Sequence, residues 1–565
     1  MILIDWLIVA SYLLYVVVGG LWHSSRPQKL ESFLLAGRSL PWWTVGLSIM
    51  ATQMSAITLV GTTGQAYSNG LRFIQFYFGL PLAMVLLCLT VVPFFHQARV
   101  VTAYEYLERR FDSKTRSLTS FVFLISRGMS CGVIIAAPSV ILSIALGWDE
   151  HWTVLAMGIS TTLYTMFGGT RAVAWADVKQ MVVIVSGVLA CMFVVVHQLP
   201  ADVSLLNALH IAAASGKLQA VDTRFDSHET YTLWSGLLGG LFLMLAYFGC
   251  DQSQVQRYLS ARSVDEARVS LLFNGFAKIP LQLMILFMGI LVFTVYQFER
   301  PPMIFQSQAA TRAIAGPSGK EFLQLNERYE HEFELRKRAA YELIKSDSEP
   351  EARAEYVRAN SEISSIRDQA SRLIEDATQE KKFSDVNYVF PVFITERLPH
   401  GLVGLLIAAI LSAAMSASAG ELNALSTATV VDFYGRFLPQ NSDGDGDQKM
   451  LLATRLITAF WGCIACVVAL NVARLGSLIE VVNKVGSFFY GSLLGVFVLG
   501  ILIPWSKARG AFYGLMIGIV TVAVVARTTS ISFLWYNLVG CMAVVIAGVM
   551  ISACQSHDIS PNPSI

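Results

Sequence analysis

Long apolar runs alternate along this chain with short polar connections. A helix needs about 20 mostly apolar residues to cross a bilayer, and this pattern predicts about thirteen such spans. They lie near residues 2–22, 40–66, 72–95, 118–146, 152–169, 174–198, 230–249, 271–298, 400–433, 452–471, 479–504, 508–526 and 531–553. The sequence therefore predicts an all-α integral membrane protein.

One polar stretch, residues 300–390, interrupts this pattern between the eighth and ninth spans. The chain is predicted to divide into spans 1–8 (1–299), this insertion, spans 9–13 (391–554) and a short tail (555–565). Apolar residues recur twice at helical spacing within the insertion, which predicts an antiparallel helical hairpin. A role in gating or partner contact and a solvated insertion without a role both remain open.

Basic residues mark alternate connections between the spans. The basic connections are 23–39, 96–117, 250–270 and 505–509. Because Lys and Arg accumulate on the cytoplasmic side, the N-terminus is predicted outside and the C-terminal tail in the cytoplasm. The membrane is predicted to be the plasma (cytoplasmic) membrane, and the insertion to be extracytoplasmic.

Composition excludes several other classes of protein. Hydrophobic residues make up 54% and charged residues 14% of the 565 positions, unlike an ordinary soluble domain. A net charge of +1 gives no basis for binding nucleic acid. The sequence has no GxxxxGK[ST] motif, which argues against a nucleotide-driven pump, and no enzyme activity is predicted.

Two spans contain unusually many polar residues. Residues 39–70 place Ser, Thr, Gln and Gly at mid-depth, which suits a helix whose backbone opens to coordinate an ion or solute. Tight helix packing through small residues is the alternative. The ninth span contains Glu421, and an ionised carboxylate there needs a cation, a proton or a polar partner. These spans are the first and eighth of a core from span two to span eleven, which suits a five-plus-five inverted repeat.

Arg127 lies near the middle of the fourth span. An arginine there needs an anion, and it can give a solute carboxylate two parallel hydrogen bonds. An acidic solute such as a sugar acid would suit this position. An internal ion pair with Glu421 or Asp177 is the alternative.

Four segments together resemble the sodium/solute symporter family, which includes sodium/glucose, sodium/proline and sialic acid carriers. They are WWTVGLSIMATQMSA, GGTRAVAWADVKQ, DQSQVQRYLSARSVDEA and AAMSASAGELNALSTATVVDFY. The resemblance implies the five-plus-five inverted-repeat core, with one extra span before it and two after it. It implies sodium as the coupling ion and no other cofactor. It implies nothing about the insertion.

The resemblance also implies a sodium site between spans two and nine. The matched ligands are the backbone carbonyl groups of Ala51, Met54 and Ala413 and the hydroxyl group of Ser416. The second hydroxyl position of the family falls on Ala417, which has no side-chain oxygen.

Two carboxylates are candidates for ion coupling. Glu421 lies four residues after Ala417 on the same helix face and is a candidate for the missing oxygen, or else hydrogen-bonds within the core. Asp177 matches a family carboxylate near the sodium release path, or else is a charge at a helix N-terminus.

The predicted solute-binding residues are Gln53, Ser55, Arg127, Tyr247 and Lys278. Tyr247 matches the aromatic residue that closes the cavity in sugar carriers, and Lys278 matches a sugar-contacting lysine. Snorkelling of Lys278 toward the cytoplasm is the alternative. Gln53 and Met244 replace the two asparagines of the sugar site, so a glucose-type pocket is not preserved.

The resulting hypothesis is a secondary active symporter that works by alternating access. It imports a small polar organic solute, a sugar, sugar acid or other carboxylate, together with sodium, as a monomer in the lipid bilayer. The alternatives are a proton-coupled or uncoupled carrier and a transporter-like solute sensor.

Overall fold

A computed structural model describes residues 2–24, 30–147, 149–346, 349–378, 383–436, 444–472 and 478–555. Apart from Gln555, the predicted tail lies outside these residues. The first eleven α-helices are α1 (Leu3–Ser24), α2 (Leu30–Leu35), α3 (Trp42–Gln53), α4 (Thr63–Asn69), α5 (Leu80–Leu89), α6 (Val91–Gln97), α7 (Ala103–Arg110), α8 (Ser113–Leu146), α9 (Glu150–His197), α10 (Leu205–Ala214) and α11 (Gly240–Gly249).

The second eleven are α12 (Gln252–Leu259), α13 (Val264–Phe298), α14 (Ser307–Ala315), α15 (Gly319–Lys345), α16 (Pro350–Thr378), α17 (Val386–Arg397), α18 (Leu402–Asp432), α19 (Gly444–Val472), α20 (Leu478–Leu502), α21 (Ala508–Thr528) and α22 (Leu534–Cys554). None of the residues described above lies in a β-strand, although Leu40 and Ala261 form one isolated bridge. The predicted all-α class is confirmed.

Nine helical segments within the described ranges are long and apolar enough to cross a membrane. They are Thr58–Gln97, Ser113–Ile144, Gly169–His197, Val264–Phe298, Leu402–Arg436, Gln448–Asn471, Leu478–Leu502, Ala508–Thr528 and Leu534–Cys554. Leu3–Tyr15 and Ser235–Gly249 are apolar but shorter. The multi-pass architecture agrees with the sequence, whereas the count of thirteen is not established by helix length.

Helix α9 shows why spans are hard to count. It has 48 residues, about 72 Å at 1.5 Å per residue, which is too long for one crossing. At Gly169 the backbone leaves the helical conformation (φ 62°, ψ 174°). A Cβ there would lie 2.9 Å from the Phe33 side chain, so this bend requires glycine. The predicted spans 152–169 and 174–198 therefore meet in one bent helix.

The second predicted span is broken at its centre. Helix α3 ends at Gln53, and Met54 has non-helical angles of φ −94° and ψ 53°. The helix resumes after Ser55 and passes through a π-helical turn, Thr58–Thr62, into α4. The hydroxyl of Thr58 donates to the Gln53 carbonyl at 2.8 Å. The opening expected from the polar residues of this span is thus present.

Helix α18 is the most enclosed of the apolar helices. In its most apolar window 89% of the residues are buried, against 28% for Gln448–Asn471 and 33% for Ala508–Thr528. It packs against α1, α8, α9 and α19, so protein rather than lipid surrounds it. This enclosure explains how a membrane-length helix can contain serines, an asparagine and a glutamate.

Residues 300–390 contain α14, α15, α16 and the start of α17. Helices α15 and α16 pack antiparallel, with Arg328 ion-paired to Glu362. Arg336 of the hairpin donates to the Tyr296 carbonyl at 2.8 Å, and the Tyr356 hydroxyl donates to Gln297 at 3.1 Å. These bonds attach the hairpin to the C-terminal end of α13.

Candidate solute and sodium sites

A cavity of about 100 Å³ lies beside the break in α3. Helices α8, α11, α18 and α20 complete its wall. Four of the five predicted solute-binding residues line it, namely Gln53, Ser55, Arg127 and Tyr247. Residues from distant parts of the chain thus share one cavity, which is the usual form of a small-molecule site.

Arg127 is held in this wall by two carboxylates. Its Nε donates to Asp251 Oδ2 at 2.5 Å, and its Nη1 donates to Glu421 Oε1 at 2.6 Å. Its Nη2 donates to the Tyr490 hydroxyl, and its guanidinium carbon lies 4.9 Å from the centre of the Tyr247 ring. The predicted pair with Glu421 exists, whereas Asp177 is not a partner. A solute carboxylate would have to displace one of these groups to reach the guanidinium.

Lys278 lies next to the cavity and is fully buried. Its Nζ donates to the Gln53 carbonyl at 3.2 Å, at the end of α3, and lies 5.5 Å from the centre of the Tyr77 ring. Because it points into the protein, the snorkelling alternative is wrong. Tyr247 is also held in place, since its hydroxyl accepts a hydrogen bond from Gln254 at 2.7 Å.

A second buried cluster joins α3, α9 and α18 around Asp177. The hydroxyls of Ser48 and Ser416 donate to its two oxygens, Ser48 at 2.5 Å. Arg257 donates to Asp177 Oδ2 at 2.6 Å. Asp177 is fully buried and lies eight residues after the bend at Gly169. The alternative of a charge at a helix N-terminus is therefore wrong.

Three of the predicted sodium ligands lie in helices of this second cluster, and Met54 directly follows α3. Ala51, Met54 and Ala413 are all buried, and Ser416 contacts Asp177 directly. Glu421 instead belongs to the Arg127 cluster. The side chain of Ser416 thus contacts Asp177, which also accepts a hydrogen bond from Ser48.

Sequence reasoning did not predict four residues of these clusters: Ser48, Asp251, Arg257 and Tyr490. The sequence predicts that Arg257 lies in the basic connection 250–270. The structure instead places it in α12, where all eight residues are buried. Asp251 and Arg257 lie in the DQSQVQRYLSARSVDEA segment, so buried charge there was the available signal. A Cβ at Gly420 would collide with the Arg257 guanidinium, so this glycine lets the arginine reach α18. Ser48 and Tyr490 had no comparable signal.

The family model described as "Sodium:solute symporter family" matches residues 33–317 and 373–518. The chain belongs to this family. The symporter is 26% identical over 525 residues to the sodium-dependent multivitamin transporter of Oryctolagus cuniculus, covering 92% of this chain and 69% of that one. It is 25% identical over 598 residues to sodium-coupled monocarboxylate transporter 2 of Bos taurus, covering 97% and 83%.

The human sodium/iodide cotransporter is 28% identical over 524 residues, covering 90% of this chain and 68% of that one. A solved Na⁺-coupled sialic acid symporter has the same fold, with a TM-score of 0.76, 22% identity and 98% coverage of both chains. The symporter is therefore a multi-pass, sodium-coupled solute transporter in a family of transporters. The unmatched residues 318–372 fall mostly within the α15–α16 hairpin.

Proposed function

We propose that the symporter imports a small polar organic solute, bound in the cavity, with sodium bound beside Asp177. The observation that supports this most is that α3 and α18 each contribute to both buried clusters. Helix α3 supplies Ser48 to one cluster and Gln53 to the cavity, and α18 supplies Ser416 and Glu421. A ligand that orders these helices at one site changes the affinity of the other site, which is the requirement for coupling.

The proposed sodium site consists of the carbonyls of Ala51, Met54 and Ala413 and the hydroxyl of Ser416. Sodium is a hard cation that prefers several oxygen ligands, as other hard cations do. Ser416 donates its proton to Asp177, so its lone pairs stay available to the ion. Asp177 fixes the orientation of this hydroxyl, and its own charge is shared with Arg257.

The proposed solute site consists of Gln53, Ser55, Arg127, Tyr247 and Lys278. The names of the relatives point to vitamins, monocarboxylates and iodide as solutes of those proteins, and sugars, sugar acids and other carboxylates are the classes proposed here. A carboxylate would compete with Glu421 for Arg127, whose fork is occupied. Glu421 and Asp177 are the proposed coupling residues.

The proposed architecture has thirteen spans with a five-plus-five inverted repeat, the N-terminus outside and the C-terminus in the cytoplasm. The break in α3 and the facing polar helix α18 support the repeat. The proposed division is spans 1–8 (1–299), an extracytoplasmic insertion (300–390), spans 9–13 (391–554) and a tail (555–565). The symporter is proposed to act as a monomer in the plasma membrane.

Uptake into proteoliposomes, screened over sugars, sugar acids and amino acids with and without a sodium gradient, tests this proposal. Ser416→Ala should raise the sodium concentration for half-maximal uptake severalfold, and Ala417→Ser should lower it. Ser426→Ala is the control, because that hydroxyl only donates to a carbonyl of its own helix. Unchanged sodium activation in Ser416→Ala would place the ion elsewhere. Uptake that does not depend on sodium would favour a proton-coupled or uncoupled carrier.

A further inference from the structure

Glu421 is the acidic residue of the cavity wall, and one of its oxygens has no partner. The side chain is 1% exposed, and Oε1 accepts the hydrogen bond from Arg127. Oε2 is buried and has no hydrogen-bond partner among the described residues. Leaving a buried charged acceptor unsatisfied is costly, so such an oxygen needs an explanation. Because Glu421 lines the cavity, a ligand there is the candidate for the missing donor once the carboxyl group turns toward it.

The hydrogen bonds that the neighbouring cations make within the described residues go to other acceptors. All three nitrogens of Arg127 already donate to Asp251, Glu421 Oε1 and Tyr490. Lys278 donates to the Gln53 carbonyl, and Arg257 is paired with Asp177. Arg127 is ion-paired with both Asp251 and Glu421, so these two carboxylates share one ion-paired cation. In a low-dielectric interior a further cation is attracted to both carboxylates.

We propose that Glu421 Oε2 binds a cationic N–H group of the solute, so that the transported solutes contain an amine. This inference rests on the proposed function and narrows its solute class: among the sugars and carboxylates proposed for the same cavity, those that also contain an amine bind. An ammonium group supplies both the hydrogen-bond donor that Oε2 lacks and a positive charge beside the carboxylate. The Gln53 Oε1 atom, also buried and without a partner in the described part of the chain, is a second acceptor in the same wall.

Cavity size sets the choice of probes. The cavity volume is about 100 Å³, so the probes are kept to small molecules. Propylamine, propionate, β-alanine and 1-propanol have the same three-carbon chain and differ in charge. A ligand that binds only the folded state stabilises it by RT ln(1 + [L]/Kd) and so raises the unfolding temperature, which gives an assay without transport.

The thermal unfolding of the purified full-length protein would be measured with each probe in sodium-containing buffer. Propylamine and β-alanine should raise the unfolding temperature, and propionate and 1-propanol should not. Glu421→Gln should weaken the apparent affinity for propylamine at least tenfold, whereas Glu421→Asp should retain part of it. Glu480→Gln is the matched control, because this half-buried carboxylate pairs with Gln65 and does not line the cavity.

Three results would overturn the proposal. The first is stabilisation by propionate but not by propylamine, which would mean that a carboxylate displaces Glu421 from Arg127. The second is the same propylamine affinity in wild type and Glu421→Gln. The third concerns the ion in the absence of any probe. If replacing potassium by sodium raises the unfolding temperature of Ser416→Ala but not of Glu421→Gln, Glu421 binds a second sodium ion. If Glu421→Gln fails to fold, the proposal is decided by the order in which the four probes raise the unfolding temperature of the wild type. Each of these results leaves sodium-driven uptake intact, so it is distinguishable from failure of the proposed function.

Discussion

The two buried ion clusters of the symporter use the same chemical groups in different ratios. Around Asp177, one carboxylate meets one arginine and two hydroxyls, and both of its oxygens accept hydrogen bonds. Around Arg127, one guanidinium faces two carboxylates, and Glu421 Oε2 has no donor in the described structure. The first cluster pairs one carboxylate with one arginine, whereas in the second two carboxylates share one arginine.

This difference separates two ways of holding a ligand inside a membrane protein. At Asp177 a cation enters a site whose hydroxyl groups can turn their lone pairs toward it without losing the carboxylate as an acceptor. At Glu421 the ligand must supply a donor that the protein does not have. Removing one member should therefore have an effect of different size on stability and on uptake in each of the two clusters.

The largest effect is expected from Arg127→Met, which leaves Asp251 and Glu421 buried without their shared cation. Removing one member of a buried ion pair costs about 3–5 kcal/mol. Thermal unfolding in detergent should show a large loss of stability. Arg127→Lys retains the charge but not the planar fork, so it should keep most of the stability and lose solute affinity. Wild-type stability in Arg127→Met would show that the two carboxylates are not both ionised.

A smaller effect is expected from Asp177→Asn, because the amide oxygen still accepts a hydrogen bond from one of the two serines and the amide nitrogen can donate to the hydroxyl of the other. The loss of one charge-assisted bond costs about 2 kcal/mol, and the sodium concentration for half-maximal uptake should rise more than about tenfold. Adding Arg257→Met should restore stability without restoring sodium affinity. If both recover together, Asp177 acts only as the partner of Arg257.

Tyr490→Phe should have a modest effect, because it removes a single hydroxyl that bridges Arg127 and Asp251. The loss of one such hydrogen bond is about 1 kcal/mol, equivalent to about a fivefold rise in the solute concentration for half-maximal uptake. Tyr513→Phe, on the exposed face of α21, is the control. No change in solute affinity would mean that Arg127 is positioned by its carboxylates alone.

The smallest effect is expected from Arg328→Ala in the α15–α16 hairpin. Arg328 and Glu362 form an ion pair in which both side chains are more than one-third exposed. Such pairs contribute less than about 1 kcal/mol, so unfolding temperature and sodium-driven uptake should stay near wild type. A marked loss of uptake at unchanged stability would indicate that the hairpin takes part in gating.

Local composition by itself determined the membrane class and the position of the helix break. Runs of about 20 apolar residues cannot be accommodated in a small soluble core, and hydroxyl and amide groups at mid-depth are tolerated only where protein surrounds them. Helix α3 accordingly ends at Gln53, within the polar segment. The number of spans was not decided in this way, because a glycine bend joins two of them and the break divides another.

Only the tertiary structure decided which charges meet. Arg127 and Glu421 are 294 residues apart, and Arg257 and Asp177 are 80 apart, so no local pattern connects them. The sequence showed that Glu421 needed a partner, since an isolated carboxylate is costly in the membrane, but it could not choose among Arg127, sodium and a proton. Helix packing made that choice, because it brought α8 against α18 on one side and α12 against α3 and α18 on the other.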